Sequence, residues 1–314
     1  KEVNGMSDAN AKYSMGWLRD WPDARDYTSV TDIVSRKLKD AGQKDSIKDM
    51  LQKVGVLKAV KAPAPSADLR NWCSPIEDQD GIGSCTAHAG VGLVEYFERR
   101  AFGEHIDASR LFLYKTTRNL LQWTGDTGAF LRTTMGAMAI FGVPPEMYWP
   151  YKPFDPVPGP MFDAEPPAFC YAFAQNYKAI TYYRLDPAGT TKPDLLNRIK
   201  SYISAGLPSM FGFTVFSSYV QAKSSGMIPY PVSGEKVVGG HAVDAVGYDD
   251  NIKIVNANPK GPTTVGALLI RNSWGSGWGD KGYGWLPYEY VLKGMAVDWW
   301  SLLKNDWINT GAFG

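Results

Sequence analysis

Cys85 follows Gly81-Ile82-Gly83-Ser84 and opens a segment with apolar residues at helical spacing, Ala89, Leu93 and Phe97. A thiol on the first turn of a helix faces unpaired backbone N–H groups and the positive end of the macrodipole. Both favour the thiolate, the nucleophilic form. Taken alone, a cysteine at a helix start is more often simply buried. His241 shifts the balance. It follows Gly239-Gly240 and enters the apolar run Ala242-Val243-Asp244-Ala245-Val246-Gly247-Tyr248, so its ring has an open side that a thiol can reach. Asn272 ends the run Leu269-Ile270-Arg271. Its side-chain oxygen can accept a hydrogen bond from an imidazole N–H, and Trp274 can cover that bond from water. Thiol, imidazole and amide together are a nucleophile, its base and the group that orients the base. His88, three residues after Cys85 on the same helix, reads as a packed helix residue, and His105 as part of an exposed loop. The three cysteines, Cys73, Cys85 and Cys170, lack paired ligand spacing, so neither a metal nor another cofactor is expected.

The elements that must position these residues can be read from periodicity. A helix is expected from about Ser84 to Phe102 with Gly103 as its stop, a second from Asp107 or Ser109 to about Trp123, and a third over Thr133 to Phe141. Residues 150–170 are proline-rich and read as loop. Strand-like runs follow at Ala179 to Tyr183, Pro208 to Val215, Ala242 to Tyr248 and Ala267 to Arg271, interrupted by a helix near Pro193 to Ala205. The N-terminal block differs. Residues 16–26 read as irregular, and helical spacing appears over 31–41 and again at Ile47, Met50, Leu51 and Val54, with Ser46 as cap and Gly55 as stop. Ala62-Pro63-Ala64-Pro65-Ser66-Ala67 reads as an extended linker. The expected organisation is an extension over 1–66 and a domain over 67–314. That domain comprises a helical part at about 67–170, a β part at about 171–290 and a C-terminal segment over 291–314.

The 314 residues contain 44% hydrophobic and 21% charged side chains, ordinary for a globular chain. A formal net charge of +1 excludes a strongly basic nucleic-acid binder. No apolar run is long enough to span a membrane. The chain opens with Lys1 and reads as processed or truncated.

Three blocks carry a resemblance: Gln79-Asp80-Gly81-Ile82-Gly83-Ser84-Cys85-Thr86-Ala87, Gly240-His241-Ala242-Val243, and Arg271-Asn272-Ser273-Trp274-Gly275-Ser276-Gly277-Trp278-Gly279. In this order they resemble the papain-like cysteine peptidases, over about residues 68–290. The resemblance is to prokaryotic-type members, since Thr86 stands where plant and lysosomal members usually have Trp. It implies an α+β, two-lobed fold, a helical lobe and a β-barrel-like lobe with the active-site cleft between them. It implies Cys85 as nucleophile, His241 as base and then acid, Asn272 as the group orienting the imidazole, and Gln79 with the Cys85 backbone N–H as oxyanion hole. The segment Gly125 to Phe130 aligns with the family's substrate-backbone wall, which makes Gly128, Phe130 and the covering Trp274 candidate substrate-binding residues. The substrate class implied is a peptide or protein, cut by a monomeric enzyme that is secreted or periplasmic.

The chain departs from the family pattern at several points. Ile82 replaces a frequent disulfide cysteine, and Gly240 a frequent Asn or Asp. The stretch from Cys85 to His241 is long, with 150–170 as the expected insertion. A Cys73–Cys170 disulfide is the remaining pairing open to the chain. Residues 1–66 occupy a propeptide's position and are expected to restrain the enzyme or to pack on the β part. Two other functions share these residues: a Cys/His acyltransferase with an amine as acceptor, and an inactive scaffold on the same fold. The joint presence of Gln79, Cys85, His241 and Asn272 favours the peptidase.

Overall fold

The computed structural model describes residues 13–40, 42–57, 63–157, 159–177 and 180–314. The chain begins in a short strand, β1 (Trp17–Leu18), followed by helices α1 (Arg36–Asp40) and α2 (Ile47–Val54). Strand β2 (Ser66–Asp68) leads to three helices, α3 (Cys85–Phe102), α4 (Arg110–Leu121) and α5 (Leu131–Phe141), with β3 (Ala129–Phe130) between the last two. A small hairpin, β4 (Pro156–Val157) and β5 (Gly159–Pro160), precedes α6 (Ala168–Ala174). The β part then runs β6 (Thr181–Arg184), α7 (Lys192–Ser204), β7 (Ser209–Phe216), β8 (Val237–Val255), β9 (Thr263–Arg271), β10 (Tyr283–Pro287), α8 (Tyr288–Leu292) and β11 (Ala296–Leu303), and α9 (Asn305–Ile308) follows.

The helices form where the sequence carries start and stop signals. Ser46 caps α2 in a reciprocal box with Asp49, and Gly55 ends it in the left-handed region. Gly103 ends α3 in the same way, and Ser109 caps α4. The expected helix over 31–41 shrinks to Arg36–Asp40, which buries no side chain. Without a buried face, a helix that short has little to hold it.

Six strands lie in the order β10-β9-β8-β7-β11-β6, and β2 pairs with β8. Every pairing in this sheet is antiparallel. The expected barrel-like lobe is an open sheet, with no closed barrel among the described residues. β11 is fully buried along its length, so it shows no alternation of apolar and polar residues. Trp299 of β11 stacks on Phe211 of β7 at 3.9 Å between ring centroids. Ala179 of the expected strand and Ala62 of the expected linker lie outside the described residues.

Two features depart from expectation. Cys73 and Cys170 are free and buried, so there is no disulfide. Cys73 packs in the main core, whereas Cys170 belongs to a separate cluster with Phe112 and Ala174. A disulfide needs its Cα atoms within about 7 Å, and both thiols serve instead as small apolar side chains. The second departure is α2. Ile47, Met50, Leu51 and Val54 are buried in the main core and packed against α9. Leu51→Ala is therefore expected to cost about 2–5 kcal/mol and to lower the melting temperature by roughly 5–15 °C. Differential scanning calorimetry checks this, and an unchanged transition would place α2 outside the cooperative unit.

Candidate active site

Cys85 begins α3, with its side chain fully buried. The backbone of Ala242, the residue after His241, reaches its sulfur, as do the backbones of Thr86, of Cys85 itself and of Gly16. His241 lies on β8 and Asn272 follows the end of β9, and these strands are adjacent in the sheet. The His241 Nε2 and Asn272 Oδ1 atoms are 2.8 Å apart. Asn272 Oδ1 also accepts from the Ser273 N–H at 2.8 Å, so it is the acceptor and Nε2 carries the proton. Nδ1 is then left buried and without a partner, as a base awaiting a proton must be. Trp274 stacks on the imidazole at 4.6 Å and 22° and covers the ring.

Gln79 is held at both ends of its amide. Its Oε1 accepts from Ser273 Oγ at 2.6 Å, and its Nε2 donates to the Ile82 carbonyl at 2.9 Å. The loop carrying Gly128 is tied to the Cys85 loop by Asp126. That carboxylate accepts from the Gly83 N–H and from Tyr114 Oη, while Tyr114 Oη accepts from the Gly128 N–H. His88 is buried against Tyr151, with Nδ1 3.1 Å from the Ser84 carbonyl, and so has a structural place as expected.

The cleft is occupied by the chain's own N-terminal segment. Tyr13 stacks on Trp274 at 5.2 Å and donates to the Trp274 carbonyl. The Ser14 carbonyl accepts from Gln79 Nε2 at 2.9 Å. Gly16 meets Gly83 backbone to backbone, so closely that a Cβ on Gly16 would lie 1.8 Å from the Gly83 oxygen. The Gly16 carbonyl accepts from the Ala129 N–H, and β1 pairs with β3 in parallel, Trp17 opposite Ala129 and Leu18 opposite Phe130. The Trp17 indole lies against Gly212 and Gly240, where a Cβ would collide with it. Its Nε1 donates to the buried Asp298 carboxylate at 3.1 Å. Beyond the cleft, Asp20 and Asp26 both ion-pair with Arg132. Gly128, Phe130 and Trp274, the candidate substrate contacts, thus all border this segment.

Burial governs the ionisation of the two reacting groups. It pushes the Cys85 thiol up to about 11, against the pull of the surrounding backbone hydrogen bonds. It pushes His241 down to about 4, against the hydrogen bond to Asn272. The helix terminus was expected to favour thiolate, but with the N-terminal segment in place desolvation wins. Between those two values both groups are uncharged in the covered cleft. Sequence reasoning gave no role to Ser273, Asp126 or Asp298 individually, although Ser273 lies between Asn272 and Trp274 and Asp126 within the segment 125–130 singled out there.

The sequence profile described as papain family cysteine protease matches residues 63–295. An uncharacterized peptidase C1-like protein of Acanthamoeba polyphaga mimivirus is 32% identical, over 94% of this chain and 88% of its own length. A cathepsin B-like protein, CP3, of Giardia intestinalis is 27% identical over 76% of this chain and 78% of its own. Among solved structures, xylellain, a cysteine protease from Xylella fastidiosa, aligns with a TM-score of 0.69 at 32% identity, over 93% of this chain and 97% of that one.

Losing the Trp17 side chain removes the largest contact of the covering segment. Trp17→Ala should raise the rate of Cys85 alkylation by iodoacetamide at pH 7 at least about tenfold, since such truncations cost several kcal/mol. Mass spectrometry locates the label, and equal rates in both proteins would show that the segment does not shield the thiol.

Proposed function

The chain belongs to the papain family of cysteine proteases, and from that membership we propose a specific division of labour among its cleft residues. Cys85 is the nucleophile, His241 the base and then the acid, and Asn272 the group that holds the ring. The carrying observation is the His241–Asn272 pair, which fixes the proton on Nε2 and leaves Nδ1 buried and without a partner. The Cys85 proton passes to Nδ1 as sulfur attacks the carbonyl carbon of a peptide. The oxygen takes the negative charge and is stabilised by Gln79 Nε2 and the Cys85 N–H. The imidazolium returns the proton to the leaving amine, which yields a thioester. His241 then deprotonates a water that attacks the thioester, and Cys85 is regenerated.

We further propose that the N-terminal segment restrains this chemistry, within an organisation of an N-terminal extension and a peptidase domain. Two features support the reading. The Ser14 carbonyl takes the Gln79 donor that a substrate carbonyl needs. The residues that follow Ser14 run along Gly128 to Phe130. If that wall binds the acyl side of a substrate, the segment lies backwards and presents no scissile bond in the productive direction. It also keeps water from the thiol and imidazole, so the ion pair does not form until the segment leaves.

Cys85→Ala should abolish hydrolysis of a small peptide substrate while leaving the fold intact. Asn272→Ala should lose less of kcat than His241→Ala, because Asn272 orients the base without taking the proton. The reverse order would assign the base elsewhere. Trp17→Ala should raise kcat/KM of the intact chain at least about tenfold, and an unchanged value at matched active-site titre would reject restraint in favour of simple packing.

A further inference from the structure

The reading that residues 13–26 cover the cleft leaves open how they are let go. We propose that release comes from a proteolytic cut within residues 33–40, and that everything from about residue 42 onward, α2 included, stays in the working enzyme. The site rests on the restraint reading above, and it differs from a cut at the proline-containing linker before β2.

The N-terminal region falls into two parts with opposite properties. Residues 13–26 cover the cleft and grip Arg132. Residues 43–54 belong to the body. Asn305 Oδ1, at the start of α9, accepts from the backbone N–H groups of Lys44 and Asp45 at 2.8 and 3.1 Å. Four side chains of α2 lie in the main core. A cut after α2 would leave that helix either bound in place or torn from the core.

Between the two parts, after Asp32 and its pairing with Lys48, residues 33–40 have little to hold them. Val30 and Ile33 are 71% and 66% exposed, and α1 buries none of its residues. A partly open cavity of about 560 Å³ lies beneath α1, with Ser35, Lys37 and Leu38 on one side and Ile140, Ile180 and Thr181 among the residues opposite. The helix therefore bridges over space rather than packing on α5 and β6. Proteolysis requires a segment of chain to unfold locally, and this one can unfold without opening the core. Its exposed side chains include Arg36, Lys37 and Lys39, which fit a protease that selects Lys or Arg. Arg25 is less suited. It sits in a tight turn, with its own N–H on Asp23 and the Asp26 N–H on the Asp23 carbonyl. The cut adds water across one peptide bond and leaves the covering fragment held by contacts alone. Without the tether its effective concentration falls, so it departs on dilution.

The experiment treats the full-length Cys85→Ala protein briefly with trypsin under native conditions and reads the products by mass spectrometry. The first cut is expected after Arg36, Lys37 or Lys39, with a large product that still unfolds cooperatively. The same treatment of the wild-type chain should raise peptidase activity at least about tenfold in step with the cut, and further on dilution. An R36Q/K37Q/K39Q variant should lose both the cut and the activation. A chain beginning at Gly42 should fold and be active, whereas one beginning at Ser66 should melt at a clearly lower temperature. A first cut after Arg25, Lys58 or Lys61, or equal melting of the Gly42 and Ser66 chains, overturns the proposal. A cut at 36–39 that yields a folded but no more active protein, even diluted, instead overturns the restraint reading on which it rests.

Discussion

The Arg271 guanidinium ties together the elements that carry Cys85, Gln79, His241 and Asn272. It stands one position before Asn272 and is buried on the inner side of the sheet. Across the ladder its partner is Asp244, three residues after His241. Its Nη2 donates to Ser74 Oγ and to the Pro75 carbonyl, at the root of the loop that presents Gln79. Ser74 donates on to Glu95 of α3, whose other oxygen accepts from the Ala108 N–H before α4. Gly92 makes room for this, since a Cβ there would lie 2.4 Å from Arg271 Nη1 and 2.7 Å from Asp244 Oδ2. Burial pushes the Asp244 and Glu95 carboxyls up, and the nearby guanidinium pulls them back down. A buried charge cluster of this kind adds little net stability but is severely disrupted when one member is lost. It joins helix α3, the Gln79 loop and strands β8 and β9, and so couples the registry of α3 to that of the sheet.

With that registry set, the chemistry depends on who occupies the cleft. Under the N-terminal segment, burial raises the Cys85 thiol and lowers the His241 imidazole, and both shifts oppose an ion pair. In the covered cleft the Ser14 carbonyl holds the Gln79 amide N–H, the donor assigned above to a substrate carbonyl. Glycine at Gly16 and Gly83 permits the two backbones to approach closely.

The site was legible in the sequence because its parts are short and local. Cys85 at a helix start, His241 after two glycines and Asn272 at a strand end each leave a signature within a few residues. Helix caps at Ser46, Gly55, Gly103 and Ser109 were readable for the same reason. What was not readable depends on distant partners. Trp17 looks like part of an irregular run until Gly212, Gly240 and Asp298 form its slot, with Asp298 281 positions away. Strand β11 hides because both of its faces are buried. The pairing of Cys73 with Cys170 failed because cysteine count carries no distance. α2 was correctly read as a helix, yet nothing local told that its apolar face meets a C-terminal helix.

The order of the chain has a consequence for biosynthesis. The covering segment leaves the ribosome first, and the slot for its indole is finished only when β11 emerges. At common translation rates that interval is on the order of tens of seconds. Cys85 emerges first, His241 and Asn272 follow, and the sheet stays incomplete until β11 arrives. When the last strand arrives, the cover is already present at high local concentration. The cleft is thus completed with its covering segment already on the same chain.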